Sequence, residues 1–123
     1  MKREILFRGQ PTGKGGIWMV GVGAYKTHTA EHLVLNAKGD NVEVVHLCQY
    51  TGLKDVNNKE IFEGDIVTIG NNLKAVVIWF NGSFRFQDEL SSKATYFDDI
   101  GVIMRDYDVQ VIGNIHDNPE LIK

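Results

Sequence analysis

The chain has 123 residues, a net charge of −3, 43% hydrophobic residues and one cysteine. That length favours one domain, or two very small subdomains sharing a core, and at this size about two-thirds of the unfolded surface is buried, so a core can form without a disulfide framework. The charge is split: residues 1–60 carry eight Lys/Arg against six Asp/Glu, and residues 61–123 carry five against ten, which makes the second half a poor partner for a phosphate backbone.

The opening residues, Met1-Lys-Arg-Glu-Ile-Leu-Phe-Arg8, are charged and lack the apolar stretch of a signal peptide. No run approaches the roughly 18 apolar residues that would span a bilayer. With Cys48 alone, a reducing compartment is the simpler expectation. Residues 3–8 predict a strand. Gly9 to Gly16 predict a hairpin loop. This loop is not a phosphate-binding loop, because only Gln10, Pro11 and Thr12 separate Gly9 from Gly13-Lys14, and Gly15 stands where a hydroxyl is needed. Ile17 to Val20 predict a second strand. The Gly21-Val22-Gly23 that follows lacks a third glycine and a clear following helix, so it is no dinucleotide fingerprint.

His28 and His32 stand four apart, but Thr29 occupies the position where a metalloprotease pattern needs Glu, and no third ligand is evident. Residues 32–35 and 42–49 predict strands joined by a turn at Asn36 to Asn41. Cys48 reads as a small buried hydrophobe. His46, two residues away, could share its strand face, but nothing else supports a dyad.

The stretch 49–67 reads as a connector of defined geometry. Tyr50 and Leu53 are apolar anchors around Thr51-Gly52, and Gly52 suggests a positive φ or a tight approach. Asp55 to Lys59, with Asn57-Asn58, predict a tight turn. Glu63-Gly64-Asp65 predict a second turn, and Ile66 to Ile69 a strand. A turn of this form before an apolar strand often opens a small SH3-like barrel. Glu63 and Asp65 could form a paired-carboxylate site, but general acid–base chemistry needs a further convergent group and a pocket. Turn chemistry accounts for both.

Residues 73–80 and 83–86 flank Asn81-Gly82, the strongest short-range hairpin signal. Trp79, Phe84 and Phe86 could stack bases, but they read better as core. Residues 87–100 predict a long acidic loop. Asp98-Asp99 could meet a cation, yet adjacent residues of an extended chain point opposite ways. Residues 101–104 and 109–112 predict short strands. Asn118 predicts a cap, with Pro119 at the first position of a helical turn.

Short strands with frequent turns predict a mainly β fold of antiparallel strands, an N-terminal β subdomain followed by an SH3-like small barrel. The whole of 1–123 is read as one domain, with subdomains 1–50 and 60–123 joined by the 49–67 stretch. The blocks Arg3-Glu-Ile-Leu-Phe-Arg8, Gln49-Tyr-Thr-Gly-Leu-Lys-Asp55, Lys59-Glu-Ile-Phe-Glu-Gly-Asp-Ile-Val67, Val111-Ile-Gly-Asn-Ile115 and Asn118-Pro-Glu-Leu121 together resemble the YopX family of phage- and prophage-encoded proteins. The start departs from the family: Gly9 stands where a small residue often precedes an aromatic one, and Gln10 lacks the aromatic. The resemblance implies a mainly β fold with an SH3-like second half, self-association, and an accessory phage product working in the bacterial cytoplasm. It implies no activity. The motif residues Tyr50, Thr51, Gly52, Leu53, Asp55, Glu63, Gly64, Asp65, Gly113 and Asn114 carry a structural or interaction role.

Three functions compete. A non-enzymatic module that self-associates or binds a phage or host protein ranks first. A nucleic-acid-binding module ranks second, with contacts through Lys2, Arg3, Arg8, Lys14 and Lys26. A metal-dependent hydrolase using Glu63, Asp65 or Asp98 ranks last. The sequence therefore assigns no catalytic residue, no metal ligands, no cofactor and no membrane partner.

Overall fold

The computed structural model describes residues 6–11, 18–21, 23–25, 33–35, 41–71, 73–88, 96 and 98–122. The chain divides into two units, Met1–Gly52 and Leu53–Lys123. His28, His32 and the turn over 36–40 lie outside the described residues, as do residues 12–16 of the expected loop and Ile17 of the expected second strand.

The first unit is built on β1 (Phe7–Pro11), β2 (Met19–Gly21), β3 (Gly23–Tyr25), β4 (Leu33–Leu35) and the long β5 (Asn41–Lys54). All pairings are antiparallel, in the order β2-β1-β5-β4-β3. Two expectations change here. β1 continues through Gly9, Gln10 and Pro11, where a loop was expected. Gly9 is buried, and a Cβ there would lie 2.5 Å from Val44 Cγ2, so a glycine lets the strand pass close to β5. Pro11 is tolerated because it ends the strand. Second, Gln49 to Lys54 continue β5 instead of opening a connector.

β5 carries one extra residue in its pairing with β1: Arg8 faces Cys48, whereas Gln10 faces Val45. His46 lies in this bulge with φ +56 and is exposed. Cys48 is buried, and its thiol donates to the His46 carbonyl at 3.2 Å.

The second unit begins at the end of β5, and β6 (Glu60–Phe62) pairs with β5. β7 (Asp65–Ile69), β8 (Leu73–Phe80), β9 (Ser83–Asp88) and β10 (Val109–Asn114) form an antiparallel sheet in the order β10-β7-β8-β9. The expected closure into an SH3-like barrel is not seen among the described pairings. Asn81 and Gly82 sit at φ +48 and +83, as a primed two-residue hairpin requires. Period-two alternation turns Val67, Ile69, Ala75, Val77, Phe84 and Phe86 to one core.

That core is closed by α1 (Ile100–Ile103), a single turn where a strand over 101–104 was expected. A short apolar run does not distinguish the two. The local cause is Asp99, whose carboxylate accepts the Val102 N–H at 3.0 Å as an N-cap. Ile100 is thereby placed in the core. A 3-10 turn, Pro119–Ile122, ends the described chain. Pro119 takes its first position, but the Asn118 side chain turns back toward Asn114.

Candidate functional site

The motif residues of the second unit converge on β10. Asp55 is buried, and its carboxylate accepts three backbone N–H groups: Asn57 at 2.8 Å, Lys59 at 2.9 Å and Val111 at 2.9 Å. Burial alone would raise the Asp55 pKa. The three N–H donors and the Lys59 charge outweigh it and hold the carboxyl below its usual range. The same turn is tied to β10 by the Val56 N–H, which donates to the Val109 carbonyl at 3.1 Å. Leu53 packs against the core just before it.

Gly64, at φ +88, donates its N–H to the Val77 carbonyl at 2.8 Å, and its own carbonyl accepts the Ile115 N–H at 2.9 Å. Asp65 is fully buried and accepts the Phe62 N–H at 2.8 Å, which closes the Glu63-Gly64 turn. Glu63 is half-buried in that turn. Asn114 accepts the His116 and Asp117 N–H groups and donates through Nδ2 to the Asp117 carboxylate at 3.1 Å. Its backbone N–H donates to Asn118 Oδ1 at 3.2 Å. Gly113 sits beside this clasp, where a Cβ would lie 2.6 Å from Asn118 Oδ1. Asp55 and Asp65 therefore spend carboxylate oxygens on backbone donors, as turn chemistry requires.

In the first unit Tyr50 and Thr51 are buried, and the Tyr50 N–H donates to the Leu6 carbonyl at 2.9 Å. Gly52 is exposed with φ +89, so positive φ is what selects glycine there. Among the residues expected to meet nucleic acid, Lys2, Arg3, Lys14 and Lys26 lie outside the described residues. Arg8 is only 8% exposed, and its guanidinium lies 4.6 Å from the Trp18 ring centroid. A cation stacked this way serves packing, so Arg8 is corrected from a surface contact to a buried one.

Two surface features of the second unit stand apart from the motif residues. The first is the tip of the β8–β9 hairpin. Trp79 is 53% exposed and Phe80 43%. Trp79 meets Phe84 edge-on, centroids 4.9 Å apart at 75°, and Arg85 lies 5.7 Å from the Phe80 centroid. Phe84 and Phe86 are core, as expected, but Trp79 is not. Its position next to the Asn81-Gly82 turn was the available signal, since strand ends at a hairpin tip run past the layer that covers them. The second is a cavity of about 430 Å³ lined by Ile69, Leu73, Tyr96, Asp98, Ile103 and Tyr107. Its walls come from three separate stretches, 69–73, 96–98 and 103–107, which no local pattern links.

Among the described residues, no group of three or more His, Cys, Asp or Glu side chains is placed to hold a metal ion. Among the same residues, no helix is long and apolar enough to cross a membrane.

A protein-family model described as "YopX protein" matches residues 21–123. The chain is similar to a crystal structure of protein EF1440 from Enterococcus faecalis, with 30% sequence identity, 94% of this chain and 75% of that one covered, and a TM-score of 0.49. No curated protein matches the sequence.

Proposed function

The chain belongs to the YopX family, and on that premise we propose that it is a non-enzymatic interaction module, an accessory product of a phage or prophage gene acting in the bacterial cytoplasm. The observation that carries this reading is the hairpin tip, where Trp79 and Phe80 leave large aromatic surface in solvent. Exposed aromatics of this size are costly to leave in water and are enriched at contact surfaces. The partner is a second copy of the chain or a phage or host protein. Of the three carboxylates named for a hydrolase, Glu63, Asp65 and Asp98, the buried Asp65 accepts the Phe62 N–H at 2.8 Å and so serves its own turn.

Native mass spectrometry of the wild type and of a Trp79→Ser/Phe80→Ser variant tests this. Assembly at an integer multiple of 13.8 kDa, lost in the variant, is the expected result. A wild type that stays monomeric at high concentration and captures no partner from infected cells would sink the proposal.

One observation favours a second reading. Arg85 beside Phe80 on one face of the hairpin is the kind of aromatic and cationic pairing on which single-stranded bases stack. A salt titration with single-stranded oligonucleotides discriminates, because binding that is absent at low salt removes this reading.

A further inference from the structure

The cavity of the second unit is built, not incidental. Ile69 at the end of β7 pairs in register with Leu73 at the start of β8, and the two form one wall. Ile103 closes it from the last position of α1. The backbone that carries each tyrosine is held by a hydrogen bond. The Tyr96 N–H donates to the Phe86 carbonyl at 2.9 Å, and the Tyr107 N–H to the Ile103 carbonyl at 3.1 Å. The Gly70 N–H donates to the Asp108 carbonyl at 2.9 Å, which ties the end of β7 to the segment that carries Tyr107. A volume of about 430 Å³ falls within the roughly 300–1,000 Å³ of small-molecule sites.

The chemistry of the lining selects the ligand. Three aliphatic side chains and two phenol rings meet one charged group, Asp98, which is exposed at the edge. Among the described residues that line the cavity, none is cationic. Asp106 and Asp108 add exposed negative charge on either side of Tyr107. Lys74, next to Leu73, directs its ammonium to the Leu121 carbonyl at 3.3 Å, and Arg105 is exposed on the segment after α1. The surroundings of Tyr96 report the same sign: after burial, the charge of Asp88 is the next influence that disfavours its phenolate. Among the described residues that line the cavity, none would balance the repulsion between an anion and Asp98. A cation would gain the carboxylate and the electron-rich phenol rings of the lining.

We propose that this cavity binds a small organic cation, an ammonium or quaternary ammonium group on an apolar body, with the body between Ile69, Leu73 and Ile103 and the charge between Asp98 and the two tyrosines. The site is separate from the hairpin tip, and its occupant is a free small molecule.

The test is a methyl-detected NMR titration of the full chain with three probes at matched ionic strength: benzyltrimethylammonium chloride, benzyl alcohol and sodium benzoate. The cation is expected to shift the Ile69, Leu73 and Ile103 methyls saturably, about tenfold more tightly than the neutral probe. Benzoate is expected to give no saturable shift. Asp98→Asn is expected to bring the cation down to the affinity of the neutral probe with an unchanged urea midpoint, and Tyr107→Leu to weaken the cation while sparing benzyl alcohol. Equal affinity for cation and neutral probe, or a cation affinity that Asp98→Asn leaves alone, overturns the proposal. So does the absence of any saturable shift at these three methyls. None of these outcomes touches assembly through Trp79 and Phe80, which is read separately by mass.

Discussion

The Asp55 carboxylate accepts the Val111 N–H at 2.9 Å across 56 positions of sequence, and so ties a tight turn to β10. Asp55→Asn keeps the shape but turns an N–H₂ toward a backbone donor. Losing bonds to a buried charged acceptor costs about 2–4 kcal/mol, to be read as a drop in urea midpoint. The pH dependence follows from the lowered folded-state pKa. The unfolded chain takes up the proton first, so the contribution is fully present above the unfolded value of about 3.9 and is lost as pH falls through the folded value. Urea midpoints of the wild type should therefore fall through that acid window more steeply than those of Asp55→Asn. Parallel curves would show that this carboxylate does not carry the linkage.

Gly113 and Asn118 form a second coupled pair. A Cβ on Gly113 would lie 2.6 Å from Asn118 Oδ1, the atom that accepts the Asn114 N–H. Gly113→Ala should cost about 1–3 kcal/mol through this clash. Asn118→Ala should cost about 1 kcal/mol through the lost bond. The double variant removes the obstacle, so its loss should fall short of the sum of the two. A double-mutant cycle measures that coupling directly. Strict additivity would mean that the two positions do not share this space.

Local chemistry was legible in the sequence, and long-range placement was not. Asn81-Gly82 specifies its own backbone and so declared the hairpin. Asp55 to Lys59 and Glu63-Gly64 were readable as turns because short polar side chains bond nearby N–H groups. That Asp55 also reaches Val111 was not readable, since the partner lies on a distant strand. Residues 101–104 misled because an apolar run of four fits either period, and Asp99 as an N-cap was the overlooked discriminator. β1 ran past its expected end because β5, bulged at His46, accommodates Gly9 to Pro11. Arg8 was misjudged because charge predicts exposure only until an aromatic such as Trp18 covers it. The cavity drew on Ile69, Leu73, Tyr96 and Tyr107, none of which is unusual in its own neighbourhood.

The hairpin offers a test of strain without crowding. Gly82 has φ +83, and nothing lies within 4 Å of where its Cβ would stand. Gly82→Ala should therefore cost about 1–2 kcal/mol, the left-handed penalty alone. Asn81→Gly, at φ +48, should be close to neutral, since both residues suit a primed turn. Thermal unfolding of the two variants compares them. A large loss in Asn81→Gly would show that the asparagine side chain does more than tolerate its φ.

Tyr96 supplies the last prediction. Burial disfavours its phenolate most, and the charge of Asp88 and the neighbouring Tyr107 add to it, so its pKa lies above 10.0. For a phenol with a raised folded value, the neutral form stabilises the fold. That contribution is present below the unfolded pKa of about 10 and is lost as pH rises through the folded value. The chain holds four tyrosines, so the assignment needs a difference measurement. Near-ultraviolet absorbance titration of wild type minus Tyr96→Phe should isolate one phenol that ionises later than a free tyrosine. Tyr107→Phe should move that step down, because it removes the electrostatic influence of the Tyr107 hydroxyl on Tyr96 while keeping the ring. A difference curve centred on the ordinary tyrosine value would mean that Tyr96 is not held in the apolar, negatively charged surroundings described for the cavity wall.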